Sequence, residues 1–229
     1  MGRIITGLKA QKRNHRRVNV DLDGEFAFGV ERIVAAWLQV GQELSEEKIA
    51  SLQEEDRREA AYQKALNFIQ YRERSEAEIQ QHLKEQKLPE EIASEVIERL
   101  RRSGLVNDQR FAQTWVENRN EFHPRSRRAL AYELRQKGID PGAIQEALQD
   151  VDEEQMAYQA AVKQSRKFQA LEWPDFRQKM LGFLARRGFS YEISASAAAR
   201  VWEEQRASTS DDEEFPNDHS FDDGHTMTR

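Results

Sequence analysis

A leucine recurs at positions 83, 134 and 184, at intervals of 51 and 50 residues. Five residues after each comes another apolar residue (Leu88, Ile139, Phe189), and just before that stands Lys87, Gly138 or Gly188, where a helix would stop. A new apolar periodicity then opens with Ile92, Ile144 or Ile193, and a helical stretch precedes each unit, at 61–71, 108–120 and 152–168. Three tandem three-helix units follow. A unit this short cannot bury its apolar stripe alone, so neighbours must stack. The expected fold class is mainly α: three tandem three-helix repeats forming an elongated curved array, with a small N-terminal β-hairpin or meander.

Local signals set the boundaries. In RVNVDLDGEFAFGV, two alternating runs flank Asp23-Gly24, a pair suited to a type I′ turn that needs positive φ at both central positions. Its Phe26 and Phe28 are the expected contact with the helical body. The division expected is a hairpin or three-stranded meander at 1–30, a helical connector at 31–58, repeats at 59–105, 106–150 and 151–206, and a disordered acidic tail at 207–229. Ser75 with Glu78 reads as a capping box, each side chain satisfying an orphan backbone donor. Asp108 is the cap candidate of the next helix, and Asp140-Pro141 enters another. Trp115 and Trp202 are expected in the core, the latter with Ile193, Ala197 and Ala198, and Trp173 at a hinge between helices.

The formal charge of −6 divides unevenly. Residues 207–229 hold seven acids against Arg229, so the other residues balance at 34 basic and 34 acidic. Residues 1–20 contain Arg3, Lys9, Lys12, Arg13, Arg16 and Arg17 and no acid. A basic head of this kind points to a polyanionic partner. The chain has no cysteine, no secretory h-region, no apolar run long enough to span a bilayer, and neither a phosphate loop nor a nucleophile elbow. The expectation is a cytoplasmic binding protein and not an enzyme, without cofactor, metal, membrane or small-molecule substrate.

The stretch HPRSRRALAYELRQKGI puts Arg125, Arg127 and Arg128 at the start of a helix, where the macrodipole favours acids. Projected at about 100° per residue, Leu130 and Leu134 face inward while Arg125, Arg128, Tyr132 and Arg135 gather on the far side. The equivalent helix of the first repeat opens with SEAE, which suits the dipole. A departure from local preference is where a functional site is expected.

Motifs in fixed order from about Ala60 to about Trp202 (RSEAEI, DQRFA, ELRQKGI, RRGFS) resemble the RecX family of recombination regulators. The matching positions are Arg74, Ser75, Glu78, Asp108, Phe111, Ala112, Arg128, Glu133, Leu134, Lys137, Gly138, Arg187, Gly188 and Phe189. Many relatives open the basic helix with glycine where this chain has Ser126, and the acidic tail is foreign to the family. The resemblance implies a monomer that binds the RecA filament in its groove and restrains its ATPase, strand-exchange and coprotease activities. Partner-binding candidates are Arg125, Arg127, Arg128, Tyr132, Arg135, Lys137, Arg186 and Arg187; candidates for DNA contact are Lys9, Lys12, Arg13, Arg16 and Arg17. Two other readings stand beside it: direct binding of single-stranded nucleic acid through the basic head and helix, and a helical adaptor for an unrelated protein.

Overall fold

The structure, a computed structural model, describes residues 2–211. Its N-terminal sheet comprises β1 (Arg3–Ala10), β2 (Arg17–Leu22), β3 (Glu25–Glu31) and β4 (Glu43–Leu44), in the antiparallel order β3-β2-β1-β4. Asp23 and Gly24 have φ of 52° and 91°, as the turn between β2 and β3 requires. The alternation of β3 does not persist. Val20 pairs with Phe28 but Asp21 with Phe26, so Ala27 is an extra residue. This bulge turns Phe26 outward (63% exposed) while Phe28 is buried, so only one of the expected phenylalanine pair reaches the core.

Residues 31–45, expected to be helical, instead form a 3-10 turn at Val34–Trp37 and the strand β4, which pairs with Arg3 and Ile4. The helical part begins with α1 (Glu46–Ile69), where the Ser45 hydroxyl accepts from Lys48 N. At 24 residues α1 is about 36 Å long. Its first turns give Ile49 and Leu52 to the core of the sheet, and its later ones give Ala61, Tyr62 and Ala65 to a helical core. Arg17 ties strand to helix: it donates to Glu31 (3.1 Å), the Gly29 carbonyl (2.7 Å) and Asp56 of α1 (2.8 Å).

The chain continues as α2 (Glu76–Glu85), α3 (Glu90–Arg102), α4 (Asp108–Phe122), α5 (Arg127–Gln136), α6 (Pro141–Ala147), α7 (Glu153–Ser165), α8 (Trp173–Arg186) and α9 (Tyr191–Asp211). Leu83, Leu134 and Leu184 are fully buried, each contributing on the order of 2 kcal/mol of transfer free energy. The acidic tail expected to be disordered starts inside α9, which runs to Asp211; its remainder lies outside the described residues. Two packing units divide the chain: one is made of residues up to Ala112 with Arg135–Ala143, the other of Gln113–Leu134 with the chain from Ile144 onward. The second repeat contributes to both.

Each unit contains the same joint. In the first, the Ser75 hydroxyl accepts from Glu78 N (3.2 Å) and donates to the Lys137 carbonyl (2.7 Å). Gly138 follows, with φ of 76°, and a Cβ there would stand 2.3 Å from Ala77 Cβ. In the second, the Ser126 hydroxyl accepts from Ala129 N (3.1 Å), and the Ser126 amide donates to the Arg187 carbonyl (3.1 Å). Gly188 follows, with φ of 92°, and a Cβ would stand 2.4 Å from Ser126 Oγ. Glycine is thus required twice over, by φ and by space. Lys87 occupies the corresponding place in the first repeat at a φ of 58°.

Two capping expectations change. The Glu78 carboxylate does not return to Ser75 N. Arg72 holds it through both nitrogens (3.0 Å each) and Lys137 Nζ through one oxygen (2.6 Å). Two cations compete for a carboxylate better than a neutral amide does. Asp108 does not cap α4 either. Asn107 does so, accepting from Arg110 N (2.9 Å), while Asp108 accepts from Glu76 N (2.9 Å) in the first turn of α2.

Candidate functional site

The start of α5 builds the main basic surface of the second unit. Because Ser126 caps the helix, Arg125 precedes it and does not share the helical stripe. Its Nε lies 3.0 Å from Glu133 Oε1. The other oxygen of Glu133 accepts from Trp115 Nε1 and Arg119 Nε, both at 2.9 Å, and the Arg119 guanidinium lies over the Trp115 ring. Trp115 is therefore a half-buried donor rather than a core residue, and Glu133 accepts from two side chains and forms an ion pair with a third, Arg125, whose buried Nε makes no hydrogen bond.

The Ser126–Gly188 joint brings the end of α8 to the same place. Arg187 is half-buried over the Phe183 ring and donates to the Pro124 carbonyl at 3.4 Å. Burial pushes its pKa down, and the positive charges of Arg125 and Arg186 push in the same direction. The sequence candidates Arg125, Arg186 and Arg187, some sixty positions apart in the chain, thus form one cluster. Arg127, Arg128 and Tyr132 are exposed on α5, and the two arginines pair with no acid among the described residues. Such a cluster presents uncompensated positive potential beside an aromatic ring, and can bind carboxylates or phosphates.

The remaining candidates do not behave as a set. Arg135 is exposed in the first unit, but Lys137 is bound to Glu78. In the basic head, Lys9 pairs with Asp21 (2.9 Å), Arg16 donates to Gln63 (3.2 Å), and Arg17 is the strand-to-helix tie. Arg17 is therefore committed to the fold rather than displayed to DNA. Lys12 and Arg13 remain exposed in the β1–β2 connection. Sequence reasoning missed the roles of Glu133 and Glu78 as hubs; the cations three to eight residues away from each were the only local sign. Among the described residues there is no group of three acidic or histidine side chains able to hold a metal, and no helix long and apolar enough to cross a membrane. Trp173 stacks on the buried Phe176, and Trp202 lies tilted against both, with Trp173 and Trp202 centroids 5.5 Å apart; both tryptophans are half-buried, so they flank the core of the last helices, and Trp202 is not inside it as expected.

Comparison with known proteins covers most of the chain. Family models match at residues 3–45 (regulatory protein RecX N-terminal domain), 61–100 (RecX, first three-helix domain), 107–148 (second) and 152–198 (third). Regulatory protein RecX of Bacillus subtilis (strain 168) is 32% identical over 86% of this chain and 77% of its own length. That of Bacillus velezensis is 34% identical over 85% and 76%. A crystal structure of regulatory protein RecX superposes with a TM-score of 0.68 at 29% identity, covering 88% of this chain and 99% of that one. The crystal structure of RecX from Lactobacillus salivarius, at 23% identity and a TM-score of 0.56, covers 65% and 98% and shares the fold.

Proposed function

The chain belongs to the RecX family of regulatory proteins, and from that premise we propose that it binds the RecA filament and restrains its ATPase, strand-exchange and coprotease activities. The observation that carries this reading is the arginine cluster at the start of α5. Arg127 and Arg128 occupy a helical first turn that costs a few tenths of a kcal/mol per charge, and among the described residues no acid pairs with them to recover that cost. The capped helix fixes the backbone from which these side chains project, and their planar guanidiniums suit two-point contacts with acidic groups.

The test is a pull-down and ATPase measurement with the cognate RecA, with and without single-stranded DNA, comparing the native chain with the triple variant Arg127→Glu, Arg128→Glu, Arg186→Glu. Filament binding should fall by at least about tenfold while circular dichroism and melting stay put, since exposed substitutions move stability little. Full retention of binding by the triple variant refutes the assignment. A second reading, direct binding to single-stranded nucleic acid, draws support from the exposed Lys12 and Arg13, which pair with no acid among the described residues. It predicts a steep salt dependence, with a log–log slope of about −0.7 per phosphate contacted.

A further inference from the structure

Arg74 is one of the family motif positions, and the surface just described leaves it out. It lies in the first unit, at the side of a cleft of about 300 Å³ whose lining includes Phe68, Ala77, Glu78, His82 and Lys137. Its guanidinium sits 3.9 Å above the Phe68 ring. His82 stacks on the same ring at 4.1 Å, nearly parallel at 5°. Two groups that close to one ring must lie on opposite faces, so the order is Arg74, Phe68, His82.

The stack holds Arg74 in place but leaves it without an ion pair among the described residues. Its Nε is buried and meets no acceptor, and no carboxylate forms an ion pair with it among the described residues. Nearby acids are already engaged. Glu78 is held by Arg72 and Lys137, Glu73 pairs with Arg110 (3.1 Å), and Glu85, farther along α2, accepts from Gln81 (2.9 Å). Burial and the neighbouring Arg72 charge act against the guanidinium and outweigh the favourable charge of Glu78, lowering its pKa. Arg74 is a positioned, partly desolvated cation with a buried Nε that has no acceptor and no ion-pair partner among the described residues.

We propose that this cleft receives one acidic side chain of the partner protein, whose carboxylate takes up the Arg74 guanidinium. The inference rests on the filament-binding reading and adds a second contact to it, in the other unit. Several features favour a carboxylate. The volume suits a single side chain and lies at the low end for a small-molecule site. Both faces of Phe68 are covered, so no nucleobase can stack on it. Glu78 and Glu85 line the cleft and repel a continuous phosphate backbone more than one carboxylate on a mixed protein surface. A planar guanidinium also matches a carboxylate in two-point geometry.

The experiment uses the full chain and the cognate RecA filament on single-stranded DNA, with Arg74→Gln and Arg74→Lys. Arg74→Gln should weaken filament binding by about tenfold, the worth of one charge-assisted hydrogen bond, and leave affinity for bare single-stranded DNA unchanged. Arg74→Lys, treated with a carbodiimide in the complex, should form an amide cross-link between position 74 and an acidic residue of the partner. The cross-link is read by mass spectrometry and does not depend on how Arg74→Gln folds. Unchanged filament binding by Arg74→Gln, or a complex with no cross-link at position 74, overturns the proposal. An equal loss of affinity for bare DNA also overturns it, by making Arg74 a phosphate contact. If the native chain itself fails to bind the filament, the parent reading fails first and this one goes with it.

Discussion

Gly138→Ala should be among the most damaging small substitutions in the first unit, and its cost can be worked out from the joint. Gly138 has φ of 76°, and an alanine there carries about 1 kcal/mol of left-handed strain. Its Cβ would lie 2.3 Å from Ala77 Cβ, more than 1 Å inside ordinary contact. The α2 start and the α5 end must then separate, at an overpacking cost of about 1–3 kcal/mol. Separation also stretches the 2.7 Å bond from Ser75 to the Lys137 carbonyl, worth about 1 kcal/mol. The sum is about 3–5 kcal/mol.

Gly104→Ala supplies the control. Gly104 has a similar φ of 69°, but nothing lies within 4 Å of the place its methyl would take, so it should cost only the strain of about 1 kcal/mol. The gain from stiffening the unfolded chain is common to both variants and cancels in the comparison. Denaturant titration of the full chain by circular dichroism gives the two costs, and amide exchange in the first turn of α2 localises the damage. Ala77→Gly costs about 1 kcal/mol alone but should recover part of the loss in the Gly138→Ala background, a coupling that only a direct contact produces. Equal costs for Gly138→Ala and Gly104→Ala would refute the argument.

Three further outcomes are expected. Arg72 and Lys137 hold Glu78 at a pKa of about 2, against an ordinary 4.5, in spite of its partial burial. The lowered folded value means the contribution is complete above about pH 4.5 and disappears as pH falls toward 2. Glu78→Gln should therefore lower stability at pH 7 by about 1 kcal/mol, solvent screening allowed for, with the gap closing across that window in denaturant titrations. Arg17→Gln should destabilise the chain by about 2 kcal/mol by leaving Asp56 and Glu31 without their shared cation, whereas Lys12→Gln should leave melting unchanged. Glu133→Ala should cost about 2 kcal/mol and shift Trp115 fluorescence, because one carboxylate serves Trp115, Arg119 and Arg125.

What could be read in advance depended on the range of each interaction. Asp23-Gly24 announced its turn because a two-residue conformation decides it. The bulge at Ala27 and the two-residue β4 left no trace in local alternation, since pairing with distant strands defines both. Ser75 and Gly138 were legible as a cap and a stop. Their union was not, because its hydrogen bond joins residues 62 positions apart. Arg17 looked like part of a basic head because its acid, Asp56, lies on another element. The arginine candidates divided in the same way: those with an acid brought to them by the fold are structural, and those without remain displayed.

The joint shared by α2 and α5 explains how a helix can begin with arginines. In the first repeat, acids in the first turn of α2 are structurally occupied: Glu76 pairs with Arg101 at 2.6 Å and Glu78 with Arg72 and Lys137. Both helix starts are also secured from outside: α2 by the Ser75 hydroxyl on the Lys137 carbonyl, and α5 by the Ser126 amide on the Arg187 carbonyl with Gly188 packed against the Ser126 side chain. With the start fixed by those contacts, the first-turn side chains are not needed to nucleate or orient the helix. Their chemistry is free to run against the macrodipole at a cost of a few tenths of a kcal/mol per charge. An exposed arginine pair that no acid among the described residues neutralises is the pattern expected of a surface shaped by what it binds, and it is why the charge-reversal experiment bears on Arg127 and Arg128 rather than on Arg125 or Lys137.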